Sequence, residues 1–263
     1  MLTNRYSPRT SSNQLGVYYK MRGMKQISAL TLTMSSHIFK HVYIPRNPVQ
    51  QKYADVLQKS SLPLVIADGP GGTGKTAFAC QTALDFLHKK KIRKIILTRP
   101  VVAADDGIGY LKGGLNQKMD PWITPMLDVF TEFYSIEKIR HLFDTRAIEI
   151  APFSFMRGRT FKNSFIIADE AQNTTPTQLR MLLTRLGEGS KMVLTGDLAQ
   201  TDLRSRNGLE DLVDRLQTRL EPYEMYEKGI SVIRFNPSHI ERHPLLLTLD
   251  EIYDDQYDKR IYS

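Results

Sequence analysis

From Pro45 onward, apolar runs of strand length recur: LPLVIA (62–67), KIILT (94–98), IEIAPF (148–153), SFIIAD (164–169), KMVLTG (191–196) and ISVIRF (230–235). They are rich in β-branched residues and nearly continuous, the pattern of strands buried on both faces. Between them stand stretches with helical spacing: KTAFACQTALDFLHKKK, ITPMLDVFTEFYS, TPTQLRMLLTRL and NGLEDLVDRLQTRL. This alternation predicts an α/β fold, a mostly parallel sheet flanked by helices.

The residues before Pro45 are different. They are rich in Ser, Thr, Asn, Arg and Lys, and QISALTLTMSS (26–36) alternates enough to add an edge strand. Residues 1–54 carry eight basic side chains and no Asp or Glu, which is the whole net charge of +8. The remainder therefore balances to zero, and charge gives no argument for a basic groove in the core. Three readings of this arm stand open: an organelle transit peptide, a basic arm following a nucleic-acid backbone, or a poorly ordered extension. The division expected is an extension over 1–44, one domain over 45–253 and a tail over 254–263. A cytoplasmic location is the default, with organelle targeting as the alternative. No run approaches the roughly 18 to 20 apolar residues of a membrane span. The one cysteine, Cys80, excludes an intramolecular disulfide and reads as a small core residue.

LPLVIADGPGGTGKTAFACQTAL is strand, Gly-rich loop and helix, satisfying G-x-x-x-x-G-K-[ST] in its proper context. Gly69, Pro70, Gly71, Gly72, Thr73 and Gly74 can turn their backbone around phosphates, with the helix N-terminus adding partial positive charge. Lys75 reaches the terminal phosphates and the Thr76 hydroxyl ligates Mg²⁺. A second metal-side carboxylate is then needed at a neighbouring strand end. SFIIADEAQ supplies Asp169 for the metal and Glu170 to deprotonate an attacking water. A base aimed at water argues for a hydrolase and against a small-molecule kinase. KMVLTGDLAQ then places Asp197 and Gln200 just past another strand, where an amide can sense the γ-phosphate.

The P-loop combined with DEAQ and GDxxQ resembles superfamily 1 helicases. With PRNPVQQKY, LTRPVV, GYLKGGLNQKMDPWITPMLD, IAPFSFMRGRT and a closing ERHP, residues 45–250 resemble the PhoH family. That resemblance implies a single RecA-like P-loop NTPase domain that binds ATP and hydrolyses it. It implies that Gln50 reads adenine and that Arg242 is an arginine finger. Arg99, Arg157 and Arg159 stand at strand ends, where structural ion pairs and contacts to phosphate or nucleic acid are equally open. The chain departs from the family pattern at Lys112, Gly113 and Ala168, none of which touches the proposed chemistry.

A superfamily 1 helicase closes its ATP site between two such domains, whereas this chain has one P-loop. The expected partner is therefore another copy, in a head-to-tail homo-oligomeric ring such as a hexamer. The second expected partner is single-stranded RNA or DNA. The stretch 101–128 interleaves Tyr110, Lys112, Lys118 and Trp122 with Gly113 and Gly114, which suits single strands. Trp122 also fits the apolar face of the following helix. The run HKKKIRK (88–94) reads as a solvated helix end. Two functions are carried forward: an ATPase coupled to a polynucleotide, and a nucleotide-gated binding module with little turnover.

Overall fold

The computed structural model describes residues 42–100, 115–203 and 206–239, together with Leu245. The strand expected over 26–36, most of the arm, the tail from 254, and Arg242 lie outside these residues.

All six expected strands form: β1 (Leu64–Asp68), β2 (Lys94–Thr98), β3 (Ile148–Ile150), β4 (Ser164–Ala168), β5 (Lys191–Gly196) and β6 (Ile230–Arg234). They make one sheet in the order β3-β2-β4-β5-β1-β6, every pair parallel. β4 and β5 are buried along their whole length, which is why their sequences do not alternate. Successive residues face opposite layers. Ile66, Ile96, Ile166, Met192 and Leu194 join Leu179, Leu182, Leu209 and Val213 in one buried cluster. On the other layer, the Phe86 ring meets Phe165 edge-on at 5.8 Å, and Phe130 and Phe133 are fully buried.

The helices are α1 (Pro48–Gln58), α2 (Lys75–His88), α3 (Leu115–Phe133), α4 (Ile136–Asp144), α5 (Pro176–Leu183), α6 (Gly208–Arg219) and α7 (Pro222–Glu227). Three of them, α1, α4 and α7, extend the sequence expectation, and each carries a local start signal. Asn47 caps α1 by accepting from the Gln50 N–H, with Pro48 next. Ser135 caps α4, and Glu221 and Glu224 form a capping box on α7. α3 begins eight residues before Ile123; Pro121 and Pro125 discourage a helical reading there, yet the helix runs through both. Trp122 lies on that helix, but its side chain is outside the described atoms.

Helix α1 is anchored from beneath. Lys191, at the start of β5, is buried, and its Nζ donates to the carbonyls of Val56 (3.4 Å), Lys59 (2.9 Å) and Leu62 (2.6 Å). These include orphan carbonyls at a helix C-terminus, so a cation there also meets the negative end of the dipole. Burial nevertheless pushes the ammonium down to about 7, whereas an unfolded lysine titrates near ~10.4. Between those values the unfolded chain holds a proton that the folded chain lacks. This group therefore makes stability rise as pH rises through that window. Lys191→Met should flatten the rise. It should also cost about 1–3 kcal/mol at neutral pH, because the carbonyls lose their donor. Urea unfolding of both proteins across the window checks both outcomes.

Candidate nucleotide site

The sheet register brings the site together. Asp68 pairs with Gly196, Thr98 with Ala168, and Ala168 with Leu194. The strands thus end together, and Gly69, Arg99, Asp169 and Asp197 leave the sheet along one edge, the place where open α/β sheets bind ligands. A cavity of about 380 Å³ lies there. It is lined by Gly71, Gly72, Gly74, Lys75 and Thr76 from the loop, by Asp169 and Glu170 after β4, and by Asp197 and Gln200 after β5. Arg99 and, from α3, Pro125 and Val129 complete the wall.

Two of the loop glycines are required by geometry. Gly69 has φ +138°, and a Cβ there would stand 2.4 Å from the Phe235 carbonyl oxygen. Gly74, the residue before α2, has φ +87° and would meet the Phe78 ring at 3.1 Å. Lys75 is buried and turns back on its own loop, donating to the carbonyls of Gly69 (2.5 Å) and Pro70 (2.7 Å). Those carbonyls hold the ammonium where phosphate oxygens would. Gln50, from α1, lies behind the loop. Its Nε2 donates to the Thr73 carbonyl at 3.2 Å, and its Oε1 accepts from the Arg46 N–H at 2.8 Å.

Asp169 Oδ1 accepts from Thr76 Oγ1 at 2.8 Å and from Thr195 Oγ1 at 2.5 Å. Glu170 follows in the left-handed region at φ 55°, which turns its carboxylate out of the strand direction. Gln172 Nε2 donates to Glu170 Oε2 at 2.6 Å and to the Gln200 carbonyl at 3.2 Å, while its Oε1 accepts from the Asp197 N–H at 3.2 Å. Gln172 is almost wholly buried. Sequence reasoning did not assign Gln172 or Thr195 a role, although both stand inside the quoted motifs. Their signal was positional: the residue two beyond Glu170, and the strand residue that pairs beside Asp169.

Carboxylates outnumber the one buried ammonium at this edge. Burial lowers the Lys75 ammonium, opposed by Asp197, Asp169, Glu170 and Asp68 in that order. Burial raises the Asp68 carboxyl, although Leu198 N–H donates to it at 3.1 Å. Asp197 accepts from the Ala199 N–H, but its Oδ2 is buried with no partner among the described residues. A hydroxyl and a carboxylate converging on one point, with surplus negative charge around them, suit a hard oxygen-loving ion such as Mg²⁺.

The arginines divide. Arg159 pairs with Glu149 at 2.5 Å and lies over the Phe161 ring, so its structural role is evident. Arg99 Nη2 stands 3.6 Å from Glu170 Oε1, inside the site. Arg157 is exposed. Of the run 88–94 only His88 belongs to α2: Lys89 pairs with Asp85 and Lys91 lies over Phe86 just past the helix end, Ile92 is buried, and Lys94 opens β2 and pairs with Glu149, so the expected solvated helix end does not extend through 94. Cys80 is fully buried, and burial pushes its thiol well up, as a core residue requires.

A β1–loop–α2 phosphate-loop motif, with the acidic pair one strand away across β5, is the architecture of a RecA-like P-loop NTPase domain. A family model described as PhoH-like protein matches residues 43–254, and the chain belongs to that family. The PhoH-like protein of Synechocystis is 44% identical over 207 residues, covering 78% of this chain and 60% of the relative. Protein PhoH of Escherichia coli K12 is 37% identical over 204 residues, covering 77% and 55%. The matched stretch is thus little more than half the length of these curated relatives. Among solved structures, the large terminase of a thermophilic bacteriophage matches with a TM-score of 0.49 at 12% identity, covering 80% of this chain and 51% of that one. The Pif1 helicase of Candida albicans matches with a TM-score of 0.37 at 15% identity, covering 80% and 44%. Among the described residues, no helix is long and apolar enough to cross a membrane.

Gln172 is the residue whose loss should separate binding from turnover. Gln172→Leu keeps the volume but releases Glu170 from the turn at 197–200. If the site turns nucleotide over, as proposed below, that turnover should fall by about 10- to 100-fold, the scale of a misplaced group. Nucleotide affinity, read by calorimetry, should stay near that of the parent, because the phosphate cradle is untouched.

Proposed function

We propose that this protein binds ATP with Mg²⁺ and hydrolyses it, and that hydrolysis is coupled to single-stranded RNA, with single-stranded DNA as the second candidate. The observation that carries the hydrolytic half is the position of Glu170. Its carboxylate lines the same cavity as Lys75 and Thr76, beside Asp169 and oriented by Gln172. In this reading the 69–74 loop and Lys75 hold the triphosphate, and Thr76 and Asp169 hold the metal. The ion supplies charge neutralisation to the phosphates. Glu170 takes the proton of the attacking water, and Gln200 contacts the terminal phosphate. Gln50, the adenine reader that the resemblance implies, has its amide engaged by Thr73 and Arg46 and would have to release those bonds to meet a base, and Arg242 serves as the arginine finger. The polynucleotide half is supported by the make-up of 101–128 and by the resemblance to superfamily 1 helicases.

One observation favours the second reading, a nucleotide-gated module with little turnover. Arg99 stands within ion-pair range of Glu170, a cation of the same chain that would oppose proton uptake by the carboxylate. Steady-state ATP hydrolysis with and without oligouridylate separates the two. The coupled ATPase predicts stimulation by the polynucleotide, and Glu170→Gln should lower turnover about 10²- to 10⁴-fold. Tight ATP binding with no hydrolysis in either condition would leave the module.

Self-assembly makes a separate prediction. If a neighbouring copy completes each site in a head-to-tail ring, turnover per chain should climb with protein concentration. An arginine donated in trans is worth roughly 10³- to 10⁵-fold in rate in other P-loop enzymes. Hydrolysis measured alongside light scattering tests this; equal turnover in monomer and assembly would overturn it.

A further inference from the structure

The segment after β3 makes a turn whose inner residues are fixed and whose outer residues face water. Phe153 and Met156 are buried in the core cluster. Between them and just beyond, Phe155 is 57% exposed and Arg157 is exposed. Arg185 pins the turn from behind, its Nη1 donating to the carbonyls of Arg159 (2.9 Å) and Met156 (3.5 Å). The Arg159 N–H closes it onto the Met156 carbonyl at 3.1 Å. Gly158 sits at φ +77°, and a Cβ there would meet nothing within 4 Å, so the outer side of the turn is open.

Phe155 is the one exposed phenylalanine among the described residues. Single surface hydrophobics are ordinary; what distinguishes this one is its company. Arg157 and Arg159 are two residues apart and have opposite fates. Arg159 is held by Glu149 and Phe161, while Arg157 makes no ion pair or hydrogen bond among the described residues. The turn therefore presents one ring and one uncommitted guanidinium on a backbone already ordered for both. It lies on the return from the end of β3 to the start of β4, held by Arg185 beyond the C-terminus of α5, and contributes no residue to the nucleotide cavity. Its buried residues share a cluster with Ala168 and Ala171, which bracket Asp169 and Glu170.

We infer that the turn at 153–159 is a stacking platform for single-stranded polynucleotide, with Phe155 against a base face and Arg157 on a backbone phosphate. The inference rests on the polynucleotide-coupled reading above. An aromatic face takes any base, and an adjacent cation matches the repeating phosphate. One ring is too small an apolar footprint for a stable protein interface, which buries about 1,200 Å² or more.

The test is fluorescence anisotropy of labelled oligouridylate and oligothymidylate with the full chain, its Phe155→Ala, Phe155→Trp and Arg157→Ala variants, and basal ATP hydrolysis of each without polynucleotide. Phe155→Ala should weaken binding at least about fivefold, the low end for one lost base–aromatic stack. Phe155→Trp should retain parent affinity. Arg157→Ala should reduce the slope of log affinity against log salt by about 0.7, one phosphate contact on a single strand. Basal hydrolysis should stay at the parent level in all three, since neither side chain lines the nucleotide cavity. Loss on one polymer alone assigns the platform to that polymer; equal loss on both assigns it to base and phosphate regardless of sugar. Parent-like binding by Phe155→Ala overturns the platform while leaving polynucleotide coupling intact. A change in light scattering without a change in polynucleotide affinity makes the turn a subunit contact and overturns it too. If the parent chain binds neither oligomer, the coupled reading itself fails and the platform falls with it.

Discussion

Asp169 accepts from Thr76 and Thr195 through the same carboxylate oxygen, which joins the first turn of α2, the end of β4 and the end of β5 at one point. The arrangement depends on strand register. Ala168 pairs with Leu194, so the next residue on each strand, Asp169 and Thr195, stand side by side. A slip of one residue would send the β5 hydroxyl to the opposite face of the sheet and bring a leucine or glycine to the carboxylate. Strand order matters as much. β5 lies between β1 and β4, which sets the acidic pair one strand away from the phosphate loop, with room between them for a terminal phosphate and its ion.

The charges around that point are unbalanced in a way that the fold alone does not explain. Lys75 is surrounded by Asp68, Asp169, Glu170 and Asp197, and three of these carboxylates are largely buried. Burial of a carboxylate without a partner is costly, and Asp197 keeps one oxygen with no donor among the described residues. A bare triphosphate entering such a site would add repulsion. A triphosphate that arrived with a divalent cation would reverse the sign of the problem, and Thr76 and Asp169, hydrogen-bonded to each other at 2.8 Å, are the residues that would hold the ion. Lys75 itself is hydrogen-bonded to the loop carbonyls of Gly69 and Pro70, so the surrounding carboxylates act on it only through space.

The strands and the cradle were legible because their physics is local and repetitive. Runs such as SFIIAD and KMVLTG can be read as doubly buried strands from composition, and GPGGTGKT between strand and helix admits few structures. The helices α1, α4 and α7 carried legible caps in Asn47, Ser135 and Glu221, but they are short and fall between motifs that draw attention elsewhere. The start of α3 was hidden by Pro121 and Pro125, whose local preference is overridden by the helix they interrupt. Gln172 was visible as the last letter of DEAQ but not as a hub, because its partners lie on another strand's turn, 25 to 28 residues away. The arginines were undecidable for a similar reason. Arg157 and Arg159 look alike in sequence, and only the placement of Glu149 on β3 separates them.

What the assembled site adds is a route from the surface to the Glu170 carboxylate. Glu170 touches Gln172 and has Arg99 within reach. Arg99 opens the segment that runs into 101–114, and Gln172 holds the carbonyl of Gln200, which opens the segment that runs into 201–207. A third surface element, the turn at 153–159, is packed on the same cluster as Ala168 and Ala171. Arg99 and Gln200, which open the first two, both line the nucleotide cavity. In the proposed ATPase, a bound strand or a neighbouring copy that displaces any one of these segments acts on the position of a single carboxylate. The left-handed backbone of Glu170 adds to this sensitivity: a non-glycine residue at φ 55° is held there by its neighbours and not by its own preference. In that proposal, a carboxylate held by Gln172 and faced by Arg99, from two different loops, would wait for a partner to reposition it, and that would be the physical content of coupling.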